Sequence, residues 1–117
     1  MSDCKASGGE GLLRHVVCFQ FHEGVTEEQV SQVEQEFLAL GSKIEQVASL
    51  EWGHNCSSEG LNQGCTHCFL LTFHSEGDRD GYLVHPAHLE FVQLVRAHIK
   101  TLFVVDYWAH QGVTSTP

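Results

Sequence analysis

Tyr82-Leu83-Val84-His85-Pro86-Ala87-His88-Leu89-Glu90-Phe91 is the stretch on which the reading of this chain turns. Proline suits the first turn of a helix, where its missing N–H costs nothing, so Pro86 breaks one short helix and starts another. His85 then falls at the N-cap of the second helix, a structural position. Tyr82 and His88 carry a phenol and an imidazole, groups that move protons near neutral pH.

Working outward, Ser75 with Asp78 opens the helix that carries Tyr82. Leu89, Val92, Val95 and Ile99 give the helix after Pro86 an apolar stripe, and Leu102–Trp108 reads as a final strand. Upstream, Thr66–His74 is a strand apolar enough to be covered on both faces. Cys56–Gly64 is a polar loop, and Ala48–Asn55 another strand. Thr26 and Gln29 form a capping box for a helix with Val30, Val33, Phe37 and Leu40 on one stripe. Gly41 ends or loosens that helix. Arg14–Phe21 (RHVVCFQF) is β-branched and aromatic, a strand. The order β-α-β-β-α-β is that of an α+β, ferredoxin-like fold, a four-stranded antiparallel sheet with helices on one face. The strands are apolar on both faces, so the bare one exposes a large patch. In one of the two possible parities that patch carries Phe19, Phe69, Leu71, Leu102 and Val104. A second copy of the sheet is the simplest cover, which predicts a homodimer.

Length and composition agree. A chain of 117 residues, 42% hydrophobic and 18% charged, fits a single folded domain over 14–110, flanked by flexible tails over 1–13 and 111–117. Fifteen acidic against six basic residues give a net charge of −9, which repels phosphate backbones and excludes nucleic acid as a partner. No stretch is apolar for long enough to span a membrane, and a cytoplasmic location is expected. The five cysteines fit reduced thiols. Cys65-Thr66-His67-Cys68, with His54 and Cys56 across a hairpin, raises the question of zinc, but alternating strand side chains send Cys65 and Cys68 to opposite faces. No metal ligand is assigned. Glu27, Glu28, Glu34 and Glu36 read as a solvated helix face.

RHVVCFQFHEGVTEEQ, LEWGHN, NQGCTHCFLLTF, YLVHPAHLEF and VVDY together resemble the stress-responsive dimeric α/β-barrel (Dabb) family, from about Arg14 to Tyr107. The resemblance implies two sheets closing into a barrel. It also implies, from a plant branch of polyketide cyclases, intramolecular aldol closure with His88 as the catalytic base and Tyr82 assisting. Cavity-lining positions of that branch correspond to Val17, Phe19, Phe37, Phe69, Phe91, Leu102 and Val104. His15, His67 and Asp106 correspond to polar groups near the mouth, although His67, on a face shared with Phe69 and Leu71, reads equally as a satisfied interior histidine. Val33 and Glu34 stand where the cyclase has bulky aromatics. No cofactor is required for such chemistry, although some family members hold magnesium on main-chain carbonyls, here near Leu38, Gly41 and Ile44. The ligand expected is a small apolar molecule. Two other functions compete with the cyclase: a non-catalytic stress-associated oligomer, and a cofactor-independent monooxygenase-like enzyme.

Overall fold

Residues 11–112 are described by a computed structural model. The outer parts of both expected tails lie outside them; the inner end of the first already belongs to strand β1, Leu13–Phe21. Thr26 caps helix α1, Glu27–Lys43, and both bonds of the capping box with Gln29 are made. Gly41 does not end this helix, which stops at Ile44 with a backbone bond to Leu40. Strands β2 (Ser49–His54) and β3 (His67–Phe73) follow, then α2 (Glu76–Val84) and α3 (Pro86–Val95). A short 3-10 turn, Arg96–His98, leads into β4, Ile99–Trp108. All pairings are antiparallel in the order β2-β3-β1-β4, the ferredoxin-like arrangement.

The turn into β3 depends on glycine. Gly64 has φ +80°, and a Cβ there would lie 2.7 Å from the Gln20 amide oxygen. Without it the loop presses onto β1, and Thr66 donates to the Phe19 carbonyl at 2.9 Å.

Register decides which face the helices cover. Val17 pairs with Phe69 on one side and Val104 on the other, and Phe19 pairs with His67 and Leu102. Directly opposed residues share a face, and this is the face that meets Val33, Phe37 and Leu40 of α1. Phe37 stacks on Phe69 at 3.9 Å between ring centres. Phe19, Phe69 and Leu71 are therefore core, at 3%, 0% and 0% exposure, and do not form the bare patch. The opposite parity is the bare one. It carries Val16, Cys18 and Leu70 with Phe103, Val105 and Tyr107 of β4, the last three well exposed. Leu102 and Val104 lie on the helix side yet are 58% and 50% exposed, because the helices stop short of the β4 edge.

The apolar stripe of α3 also differs from expectation. Phe91 and Val95 are buried and Ala87 packs against the core, a four-residue spacing, while Leu89 faces outward and Val92 borders the cavity described below. Starting the helix at Pro86 sets this phase, and Ile99 is already strand.

Candidate active site

Two caps place the pair singled out by sequence. The Ser75 hydroxyl accepts from Asp78 N–H at 3.0 Å and starts α2, whose inner face carries Tyr82. His85 ends α2 and caps α3, its Nδ1 accepting from Ala87 N–H at 3.0 Å, so His85 is a structural residue. The reversal between the helices brings His88 over Tyr82, with ring centres 4.6 Å apart and planes tilted by 47°. The rings meet at a tilt, and the two side chains share no hydrogen bond.

His88 Nδ1 lies 3.0 Å from the Leu83 carbonyl. A carbonyl only accepts, so Nδ1 carries the proton and Nε2 keeps its lone pair. Burial lowers the His88 pKa, the Leu83 bond raises it by less, and the nearby His15 lowers it again by a smaller amount. The imidazole is thus neutral at pH 7 and able to accept a proton. Burial drives the Tyr82 phenol in the other direction, well above its ordinary value, so it stays protonated. Among the described residues the Tyr82 hydroxyl has no hydrogen-bond partner. It is not sealed in protein either, since Trp108 Nε1 is the sole enclosed and unpartnered side-chain atom among them. The hydroxyl therefore opens onto the space beside it.

That space is a cavity of about 620 Å³ between the sheet and the three helices, open toward the β4 edge. Its size suits a small ligand, and its walls are mainly apolar. Of the expected positions, Val17, Phe19, Phe37, Phe91, Leu102 and Val104 border it, with Tyr82 and His88. Phe69 does not reach it and lies beneath Phe37, wholly buried.

The polar groups of the cavity form a chain from three elements. His15 Nδ1 meets Asp106 Oδ1 at 2.7 Å, and Arg79 donates to Asp106 Oδ2 at 2.8 Å. The register opposing His15 to Asp106 makes the first contact, and α2 brings Arg79 to the same carboxylate. Arg79 also holds Asp80 at 2.9 Å. The edge of His15 meets the Tyr82 ring at 5.8 Å, so His15, Tyr82 and His88 follow one another along the wall. Arg79 was not anticipated from the sequence.

His67, expected at the mouth, is elsewhere. It stacks on Phe19 on the side away from the cavity, and its Nε2 lies 2.7 Å from Glu34 Oε2. The same oxygen is 3.0 Å from His54 Nε2. Glu34 is consequently not part of a solvated face; its side chain is 14% exposed. The helical position explains this, because residue 34 lies four after Val30 and three before Phe37, on the edge of the core stripe. Burial alone would raise the Glu34 carboxyl, but bonds from His67 and His54 outweigh it and hold the pKa below the usual range. The thiols do not join this group. Cys68 sits opposite Cys18 on the bare face, its pKa pushed up to about 11 by burial and by Cys18.

Comparison with known proteins adds family context. The profile of the stress responsive A/B barrel domain (Dabb) matches residues 13–109. A stress-response A/B barrel domain-containing protein, HS1 of Arabidopsis thaliana, is 34% identical over 98 residues, covering 84% of this chain and 90% of that protein. Olivetolic acid cyclase of Cannabis sativa is 26% identical over 95 residues, 81% of this chain and 94% of the cyclase. Among solved structures, the hydroxynitrile lyase of Passiflora edulis superposes with a TM-score of 0.82 at 21% identity, over 90% of this chain and 99% of that one.

Proposed function

This chain belongs to the stress responsive A/B barrel domain family, and on that premise we propose that its cavity binds a linear, largely apolar poly-β-keto compound and closes it into a ring by intramolecular aldol chemistry. The observation that carries this reading is the His88–Tyr82 pair at the cavity wall: a neutral imidazole with its Nε2 lone pair available, beside a protonated phenol with no partner among the described residues. The likeness to olivetolic acid cyclase supports it.

His88 Nε2 removes a proton from a methylene flanked by two carbonyls. The enolate carbon attacks a ketone carbon farther along the same chain and forms the new C–C bond. The ketone oxygen becomes an alkoxide, and the Tyr82 hydroxyl donates a hydrogen bond and then a proton to it. The proton taken by His88 passes through solvent in the open cavity to the Tyr82 phenolate, so no oxidant, reductant or second substrate enters. Apolar walls hold the flexible chain folded, which supplies the orientation that a bimolecular reaction lacks. His15, whose Nδ1–H is held by Asp106, keeps its Nε2 lone pair to accept from an enol or hydroxyl group of the substrate.

We also propose that the bare face closes against a second copy of this chain. Phe103, Val105 and Tyr107, with Val16 and Leu70, make one continuous apolar surface that favours burial. Incubating wild type and His88→Ala with linear poly-β-keto acids and thioesters, and separating the products, tests the catalytic reading. Ring-closed product from wild type alone supports it; identical product profiles remove it and leave the non-catalytic oligomer.

A further inference from the structure

The cluster of Glu34, His54 and His67 lies outside the cavity and plays no part in the chemistry above. Phe19 separates the two: one flank borders the cavity and the other stacks on His67 at 5.2 Å. The cluster draws on three elements, α1, the end of β2 and the start of β3. Its ligand-type atoms, one carboxylate oxygen and two imidazole nitrogens, all lie within 4.8 Å of one another. We propose that Glu34, His54 and His67 form a binding site for a single divalent transition-metal ion, zinc foremost, that ties the β2–β3 hairpin to α1.

Three features support a built site. First, His67 is held in place from several sides. Phe19 and Trp52 stack roughly parallel to its ring, and Phe21 meets it edge-on. Its Nδ1 bonds the Thr66 hydroxyl at 2.7 Å, the outer contact that typically fixes the orientation of a ligating imidazole and leaves Nε2 for the metal. Second, β2 and β3 pair His54 directly with His67, so the two imidazoles converge by register, with rings nearly perpendicular and centres 4.8 Å apart. Third, spacing fits. Zinc–ligand bonds of about 2.1 Å place tetrahedral ligands about 3.4 Å apart. Both histidine nitrogens are 2.7 and 3.0 Å from the carboxylate oxygen, so a few tenths of an ångström of opening admits the ion. The His54 side chain, 63% exposed, can move with the ion and supplies an entry path, and rotation of the Glu34 carboxylate opens its separation from His67.

Ligand type selects the ion. Two imidazoles and one carboxylate suit zinc and its neighbours in the first transition row, whereas magnesium and calcium prefer all-oxygen shells. Three protein ligands leave a fourth position for water. His54, which the sequence set beside cysteines, is joined here by an acidic residue from a helix.

The experiment uses tag-free, chelator-stripped protein and zinc alone, followed by calorimetric titration, with cobalt(II) as a spectroscopic probe. One ion per chain is expected, with a higher unfolding midpoint on adding zinc and no response to magnesium. Glu34→Gln and His54→Ala each lower zinc affinity tenfold or more, and Cys56→Ser leaves it unchanged. His54→Ala removes an exposed side chain and keeps the fold, so it decides the matter even if Glu34→Gln unfolds. Absence of stoichiometric zinc binding, unchanged affinity in His54→Ala, or loss of binding in Cys56→Ser overturns the site.

Discussion

Tyr82→Phe separates a catalytic hydroxyl from a structural one. The ring is 1% exposed and contacts His88, Phe73 and His15, at 4.6, 5.3 and 5.8 Å between centres. Phenylalanine keeps all three contacts and the same apolar burial. The hydroxyl is bonded to nothing among the described residues, so its removal breaks no protein hydrogen bond. A buried hydroxyl that is bonded contributes roughly 1 kcal/mol, and an unsatisfied one costs about as much. The substitution should therefore change stability by no more than about 0.5 kcal/mol if water solvates the hydroxyl, or stabilise by up to about 1 kcal/mol if it does not. Urea unfolding at constant slope measures this, a shift in midpoint reporting stability alone. Turnover should behave very differently: losing one donor to a developing oxyanion costs about 100- to 1,000-fold. Destabilisation beyond about 1.5 kcal/mol, or full activity in the variant, refutes the assignment of the hydroxyl to the transition state.

Other expectations follow from the same geometry. Asp106→Asn removes the charge that meets both His15 and Arg79; with Asp106 and Arg79 about one-sixth exposed and His15 buried, the loss should be about 2 kcal/mol, or roughly 8 °C in Tm by thermal denaturation, and an unchanged Tm contradicts it. The pH dependence of kcat/KM should show an acid limb below the ordinary histidine value of 6.5, because burial lowers the His88 pKa. The same shift affects stability: the unfolded chain takes up a proton at His88 below pH 6.5 while the folded chain resists, so this stability is present above 6.5 and is lost as pH falls toward the folded pKa. His88→Ala should remove that slope; an unaltered pH–stability curve argues against it. Light scattering at micromolar concentration should give a dimer for wild type and a smaller species for Val105→Glu, which puts a charge on the bare face; a wild-type monomer removes the proposed interface.

The fold was largely legible because its signals are local. The Thr26–Gln29 box, the Ser75 cap and the Pro86 break each depend on a few neighbouring residues, and each appears where the sequence places it. Sheet parity was not legible, since β1 is apolar on both faces and only the docking of α1 decides which one becomes core. The cavity side of the site was legible only through the family resemblance, and the helix break then sets Tyr82 and His88 in ring contact. Arg79 and Glu34 could not be read in the same way. Arg79 gains its meaning from Asp106, 27 residues away on another element. Glu34 gains its meaning from His54 and His67, whose pairing exists only once β2 and β3 are in register. The position of Glu34 on the core edge of the α1 stripe, where the cyclase branch has a bulky aromatic, was a signal, but its charge made a solvated face the natural reading.

Proton abstraction by His88 is the step on which the proposed reaction depends, and it can be observed without ring closure. Nuclear magnetic resonance in heavy water, with a β-diketone too short to cyclise, reports exchange at the methylene between its carbonyls. Wild type should accelerate that exchange above the buffer rate, with the acid limb set by His88, and folded His88→Ala should return it to the buffer rate. Equal exchange rates in wild type and His88→Ala contradict the catalytic role of His88.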